Sequence, residues 1–421
     1  MKKYDVLMLC QFFYPEKVSS AVLPYETAED LVKKGLKVKV VCGCPKETAK
    51  NRIPKKDVVN GIEIRRIDYL HLSKASKVGR LVNYSSLLLS MFFHWPLLIR
   101  SKCLLVYSNP PILPLIASIN KSLFKVNYIF VCYDVYPDIA VVTKHLTKKS
   151  FTYKLMLRIN RRMDNNVNKV ITLSNDMKAY IQATRKSISA DRITVISNWY
   201  DNQNVGRSEE IIDVEIKRMK SKYKLIILYS GNMGICQDVD TLLESAKQLS
   251  GNKDILFIFT GFGQKEKRLK AEALECNLSN VEFYGFLSGH KYIDMLKVAD
   301  VHVVSLVSGV EGMCVPSKTY SYMAIGRPLI AIMSESTDIA KDIYDHGLGY
   351  VVEPGDSEKL SEYISYMSRN EDEAQQMGDR ALSVFNANYR REMNTDKYYR
   401  VIKDIINYKK DCEICLMGKR Y

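Results

Sequence analysis

The chain reads as an α/β protein of two domains, each a parallel sheet flanked by helices. Three observations predict this. Apolar runs of strand length recur with helical or polar stretches between them, and the same rhythm restarts after a polar break. The 421 residues also exceed the size at which one core usually keeps growing.

In order, the first strand is predicted at residues 4–12 (YDVLMLCQF), then at 37–43 (KVKVVCG), 62–68 (IEIRRID), 103–108 (CLLVYS) and 128–134 (YIFVCYD). Residues 202–220 turn polar and charged, so a domain boundary is placed near 200 to 220. Beyond it the strand-like runs LIILYS, DILFIFT, VEFYGF, VHVVSL, PLIAIM and LGYVVEP follow, each ahead of a helix or loop. A last helix is expected at about 387–408. The domains are set at 1–203 and 204–386.

Composition narrows the class. Hydrophobic content of 47% and charge of 26% are ordinary for a globular chain. A net charge of +15 favours anionic partners, whether nucleic acid, a phospholipid surface or a phosphorylated substrate. The ten cysteines are scattered, several in strand-like runs, and read as reduced core residues of a cytosolic protein. Cys412 and Cys415 form a CxxC without a second pair or a histidine cluster, a poor metal site. The six histidines have no partner at metal or triad spacing and read as core or surface residues. The N-terminus, MKKYDVLMLCQFFYP, lacks a small-residue cleavage site and carries Asp5, so it reads as a buried strand.

Two segments bear on membranes. Residues 81–99 approach the length needed to span a bilayer, but Asn83, His94 and Pro96 dilute them, so a buried or interfacial helix is expected. Residues 144–162 hold seven Lys and Arg and no acid, interleaved with Phe151, Leu155, Met156 and Ile159. That pattern suits an anionic membrane surface, or equally a solvated helix face.

The stretch EGMCVPSKTYSYMAIGRPLI, from Glu311 to Ile330, reads as a loop, a short helix and a buried strand. Pro316 and Ser317 suit a helix start, where free N–H groups and the dipole face an anion, and Lys318 adds a point charge. Gly326 and Pro328 stop the helix. Gly231-Asn232-Met233-Gly234 offers a second strand-to-helix turn, with a helix from about Asp238, and Gly261-Phe262-Gly263 a third loop on the same wall. Two helix N-termini at one crevice describe a nucleotide-diphosphate site. Asp238 and Asp240 space like a DxD metal motif, but acids in a first helical turn complement its dipole, and no catalytic metal or other cofactor is expected. Asp134 closes a strand on the edge where open α/β sheets place ligands. Tyr14, Pro15 and Glu16 end the first strand on that same edge.

PSKxYxYxAxGxP near the end of such a chain resembles the retaining glycosyltransferases of family 4. QFFYPE, CYDVYPD, VISNWYD, YSGNMGICQDVDTLLESA, FTGFGQKEKRLK and VEFYGF recur in family order, and the likeness is to the branch building capsule, O-antigen and exopolysaccharide units. The resemblance implies the GT-B architecture, two Rossmann-like domains facing across a cleft, with the helix after about 387 packing back on the first. It implies transfer from a nucleotide-diphosphate sugar to a glycan hydroxyl, with a lipid-linked acceptor and peripheral contact with an anionic inner membrane face. No nucleic-acid partner is implied. Gly231, Asn232, Gly234, Gly261, Gly263, Pro316, Ser317 and Ser321 then fall on the donor side, with Phe286 at the base. Lys318, Asp134 and Glu311 take catalytic roles, Asp134 orienting or deprotonating the acceptor hydroxyl, and Tyr14, Pro15 and Glu16 border the acceptor. The chain departs from the pattern where the family often has two glutamates, now Met313 and Ser321; Glu311 is the nearby substitute for the sugar contact. Gln237 stands where a basic residue is common. Two other readings stay open: a nucleotide-sugar epimerase of similar shape, and a basic nucleic-acid-binding protein.

Overall fold

A computed structural model describes residues 3–46, 53–72, 77–202 and 210–417, without the side chains of 77–78 and 408–417. The chain divides into two compact units, Met1–Ser197 with Gly312–Val315 and Arg391–Tyr421, and Asn198–Glu311 with Pro316–Arg390.

The first unit runs β1 (Tyr4–Cys10), α1 (Ser19–Lys33), β2 (Val38–Gly43), β3 (Lys56–Val59), β4 (Ile62–Ile67), α2 (Lys77–Phe92), α3 (Trp95–Leu98), β5 (Ser101–Tyr107) and α4 (Pro114–Phe124). It continues with β6 (Asn127–Cys132), α5 (Asp138–Val142), α6 (Phe151–Asn166), β7 (Lys169–Thr172), α7 (Asn175–Thr184) and β8 (Ile193–Val195). Its sheet has the order β3-β4-β2-β1-β5-β6-β7-β8. Every pair is parallel except β3 with β4. Near-continuous burial along β1 and β5 follows from helices covering both faces.

The second unit holds α8 (Val214–Lys222), β9 (Leu225–Asn232), α9 (Asp240–Gln248), β10 (Ile255–Phe262), α10 (Glu266–Glu275), β11 (Val281–Tyr284) and α11 (His290–Val298). After these come β12 (Val301–Ser305), α12 (Lys318–Ile325), β13 (Leu329–Ile332), α13 (Asp338–His346), β14 (Gly349–Val352), α14 (Ser357–Met367) and α15 (Glu371–Asn388). Its six parallel strands are ordered β11-β10-β9-β12-β13-β14, so the winding reverses between β9 and β12. Ligands of such sheets bind outside the carboxyl ends of the strands at that reversal. Ile227, Phe257, Phe259, Val303 and Ile330 build the core beneath it.

The final helix, α16 (Arg391–Met417), belongs to the first unit. Arg391 starts it and reaches α1, where its Nε donates to Asp30 Oδ2 at 2.9 Å and its Nη2 to Asp30 Oδ1 at 2.8 Å, with Glu29 beside them. Thr395 donates to the same Asp30 carboxylate at 2.9 Å.

Three expectations are corrected. The last helix does not begin at Ala387: α15 ends at Asn388, and Tyr389, with a non-helical backbone, separates it from α16. Residues 81–99 are not one helix; α2 stops at Phe92, and His94 opens the short α3 with Pro96 in its first turn. The first sheet has eight strands rather than five, since β3, β7 and β8, of three or four residues, are too short to show a period. Among the described residues no helix is long and apolar enough to cross a membrane. Cys412 and Cys415 lie outside the described side chains.

Candidate active site

In the second unit the chemistry collects where the sheet winding reverses. Strand β9 ends at Gly231 and Asn232, and α12 begins at Lys318. Gly231 has φ +136°, and a Cβ added there would lie 3.5 Å from both Cε and Nζ of Lys318. The carboxyl end of β9 and the start of α12 therefore meet within this unit, whereas α9 begins only at Asp240. Ser317 precedes α12 in helical conformation and its side chain makes no cap; Thr319 N and Tyr320 N turn back to Pro316 O at 3.3 Å and Ser317 O at 3.4 Å.

Lys318 Nζ is buried and has no hydrogen-bond partner among the described residues. It stands 3.4 Å from the centroid of the Tyr229 ring, whose π face is the nearest compensation for its charge. Burial pushes its pKa well below the ordinary lysine range. A buried cation without a counterion is costly, and an anion placed beside it would recover that cost.

The wall around Lys318 is held from below. Tyr322, one turn along α12, is fully buried; its hydroxyl accepts from Ser230 N at 2.8 Å and donates to Ser230 O at 3.0 Å. Tyr229 in turn donates to Asn232 O at 2.8 Å. The His302 ring stacks on Tyr322 at 4.4 Å, and burial lowers its pKa to about 3, so it is neutral and structural. Sequence reasoning missed Tyr229 and Tyr322. The available signal was the spacing of Lys318 and Tyr322, which puts both on one helix face.

The other donor-side residues divide. Gly261, with φ +120°, and Gly263 do not make room for a ligand: a Cβ on Gly261 would fall 2.0 Å from Gly231 O, and one on Gly263 2.3 Å from Met233 O. They let the ends of β9 and β10 press together. Gly234 donates its N–H to Gln237 Oε1 at 3.2 Å, which closes the turn. Pro316 is buried, and its carbonyl accepts from Thr319 Oγ1 at 2.8 Å. Ser321 is buried with its hydroxyl on Lys318 O at 2.8 Å and near Tyr292 at 3.2 Å. Phe286 is 56% exposed, 6.0 Å from the equally exposed Phe262, a ring not singled out beforehand. Glu311, half-buried, accepts from Gly309 N at 3.0 Å.

Asp238 and Asp240 are taken up by the fold. Asp238 accepts from Thr241 Oγ1 at 2.6 Å and from Gly355 N at 3.2 Å. Asp240, at the true start of α9, pairs with Lys265 at 2.7 Å and with Arg268. Among the described residues no cluster of ligands could hold a metal ion.

In the first unit Asp134 follows β6 at the carboxyl edge. Its backbone bridges to Cys314, and Val135 N donates to Met313 O at 2.8 Å. Its carboxylate has no hydrogen-bond partner among the described residues, and burial raises its pKa to about 6. Tyr14 and Pro15 lie past β1; Tyr14 stacks on Tyr25 at 5.2 Å and gives its carbonyl to the fully buried Arg66 at 2.9 Å. Glu16 turns back through its N–H to Phe13 O at 3.1 Å.

Two family models match the chain, Glycosyltransferase Family 4 over residues 21–204 and Glycosyl transferases group 1 over residues 212–384. The chain belongs to the family 4 glycosyltransferases. This glycosyltransferase is 26% identical to a Pseudomonas aeruginosa protein named as a glycosyltransferase, WbjE, over 74% of this chain and 76% of that one. It is 27% identical to Escherichia coli WcaI, named for colanic acid biosynthesis, over 46% of this chain and 48% of the other. Its fold is GT-B, similar to Anabaena HepE solved with UDP-glucose, at TM-score 0.70 and 14% identity over 95% of this chain and 99% of HepE. Membership decides for glycosyl transfer against the epimerase and nucleic-acid readings.

Proposed function

We propose that this glycosyltransferase moves a sugar from a nucleotide-diphosphate donor to a hydroxyl of a glycan intermediate, with retention at the anomeric carbon, during surface polysaccharide synthesis. The observation that carries the donor half is the buried, unpartnered Lys318 ammonium at the start of α12, beside Gly231. HepE, of similar fold, was solved with UDP-glucose, and WcaI is named for polysaccharide work.

As the glycosidic bond breaks, negative charge grows on the leaving diphosphate. Lys318 stabilises it there, a donor worth roughly 3 to 4 kcal/mol by analogy with oxyanion holes. The incoming hydroxyl attacks on the face the diphosphate leaves, and its proton passes to a phosphate oxygen or to Asp134. No protein nucleophile is then required. Pro316, Ser317, Asn232 and Gly234 line the donor side, Ser321 supports it from beneath, Phe286 offers its ring to the base, and Glu311 to the sugar. No metal enters the step.

A lipid-linked acceptor and a place on the inner membrane face complete the reading. Leu81, Leu89 and Phe92 on α2, with Phe93 just past its end, are exposed, and Phe151 and Leu155 stand exposed on α6, which carries Lys154, Arg158, Arg161 and Arg162. Such a mixture of apolar and basic surface is complementary to an anionic bilayer.

The test is a thermal-shift screen of UDP- and GDP-sugars, followed by NMR of the anomeric configuration in the product of whichever sugar stabilises. Stabilisation by at least one donor and a product with the donor's configuration are expected. No shift with any nucleotide sugar, or an inverted product, overturns the reading.

A further inference from the structure

Helix α12 is eight residues long and is gripped at three points. On the face that carries Lys318, Tyr322 ties it to Ser230 at the end of β9. At its far end it presses on α15, where a Cβ added to Gly378 would fall 2.3 Å from Gly326 O. In its first turn the buried Tyr320 packs on Tyr389, the ring centroids 4.8 Å apart and the planes at 56°. Tyr320 is two residues past Lys318, so it projects about 200° around the helix from the ammonium, on the opposite face.

Tyr389 is itself fixed from several sides. It stands between α15 and α16 with φ −121° and ψ 13°, and its N–H donates to Phe385 O at 2.8 Å. Its carbonyl accepts from Tyr200 N at 3.3 Å, and Tyr200 forms a bridge with Arg390. Asn198 and Arg390 are the two ends of this unit, so Tyr389 is mounted on the seam that joins them. The Tyr389 hydroxyl donates to Asp342 Oδ2 on α13, which fixes the tilt of the ring against Tyr320.

We propose that Tyr389 is a positioning residue for the donor diphosphate. Its ring, set by Asp342 and the Tyr200 seam, holds the first turn of α12 toward β9, so that Lys318 keeps its place over Tyr229 and beside Gly231. This rests on the reading of Lys318 as the cation for the diphosphate. It adds the support that aims it. Without the ring the first turn relaxes away from β9 about the contact between Gly326 and Gly378, and a small displacement of an ammonium is enough to weaken its grip on an anion.

The experiment is a double-mutant cycle read by isothermal titration with UDP and with GDP, on the unaltered protein, Tyr389→Leu, Lys318→Ala and the two combined. Tyr389→Leu is expected to weaken the diphosphate that binds by about tenfold when Lys318 is present and by less than about twofold in the Lys318→Ala protein. Tyr389→Phe, which keeps the ring, should retain most of the affinity. If Tyr389→Leu does not fold, Tyr320→Leu removes the other ring of the pair and runs the same cycle to the same outcomes. No loss in the leucine variant, or an equal loss with and without Lys318, overturns the proposal, because a merely structural role would weaken both backgrounds alike. Binding of neither diphosphate by the unaltered protein overturns the donor reading and this inference with it, whereas binding without the coupling overturns this inference alone.

Discussion

Lys318 Nζ lies 3.4 Å from the centre of the Tyr229 ring and makes no hydrogen bond among the described residues. An aromatic face offsets only part of the cost of a desolvated ammonium, on the order of 2 kcal/mol. The remainder is available to an incoming anion, and it sets the behaviour of the first two mutants.

Lys318→Ala is expected to lower turnover at least about a hundredfold, the loss of one donor aimed at a developing oxyanion. Lys318→Met, which fills the space without charge, should raise the melting temperature at neutral pH. The lysine's folded pKa is depressed, so the unfolded chain binds more protons and stability rises with pH until the ordinary lysine pKa is passed. Steady-state kinetics and thermal unfolding of the two variants check both halves; unchanged turnover would remove Lys318 from the mechanism.

Nucleoside diphosphate binding should take up a proton at pH values above the depressed Lys318 pKa. The free amine is neutral there, and a neighbouring diphosphate favours its charged form. Calorimetry in buffers of different ionisation enthalpy measures the uptake, and Lys318→Ala should show none from this group.

Asp134 gives the acid limb. With its pKa raised to about 6, the carboxylate that would take or orient the acceptor proton forms only as pH rises through that value, so activity should climb there. Stability has the opposite sign: the folded state holds the proton more tightly than the unfolded one, so a penalty of up to about 3 kcal/mol accumulates between the ordinary aspartate pKa and about 6. Asp134→Asn should abolish the acid limb, cut turnover and raise stability at pH 7. A limb near pH 6 that persists in this variant would assign it to another group.

Tyr322→Phe leaves Ser230 N–H and C=O without their partners in a dry core. A loss of about 2 kcal/mol in urea unfolding is expected, with weaker donor binding because β9 and α12 lose their shared tie.

Phe92→Ser with Phe93→Ser should weaken flotation on anionic vesicles by more than about tenfold, since each ring is worth on the order of 2 kcal/mol when buried. High salt should weaken the unaltered protein further through α6. Equal flotation by the double variant would place any membrane contact elsewhere.

Much of the architecture was legible because parallel strands covered on both faces are written as unbroken apolar runs, as in β9, β10 and β12, and because Pro316 and Gly326 bracket α12. Short strands such as β8 carry too few residues to show a period. Around the site, Lys318 was visible as a charge at a helix start, but its support was not. Tyr229 and Tyr322 sit in segments where an aromatic side chain reads as ordinary core, and only coordinates reveal that one underlies the ammonium and the other bonds Ser230. Gly261 and Gly263 illustrate the converse, since glycine marks a close approach without saying what approaches. Here it is a neighbouring strand.

The clamp between Arg391 and Asp30 has a consequence for how the polypeptide matures. Helix α1 emerges early from the ribosome, yet the arginine that neutralises its Asp30 is synthesised only after all of Asn198–Arg390. The amino-terminal Rossmann-like body must therefore wait, incomplete, while its successor is made and folds as an insertion. A fragment ending at Ser197 would leave the α1 carboxylates Glu29 and Asp30 with Lys33 as their ion-pair partner and the seat of α16 bare, a surface suited to chaperone capture or self-association rather than to independent folding.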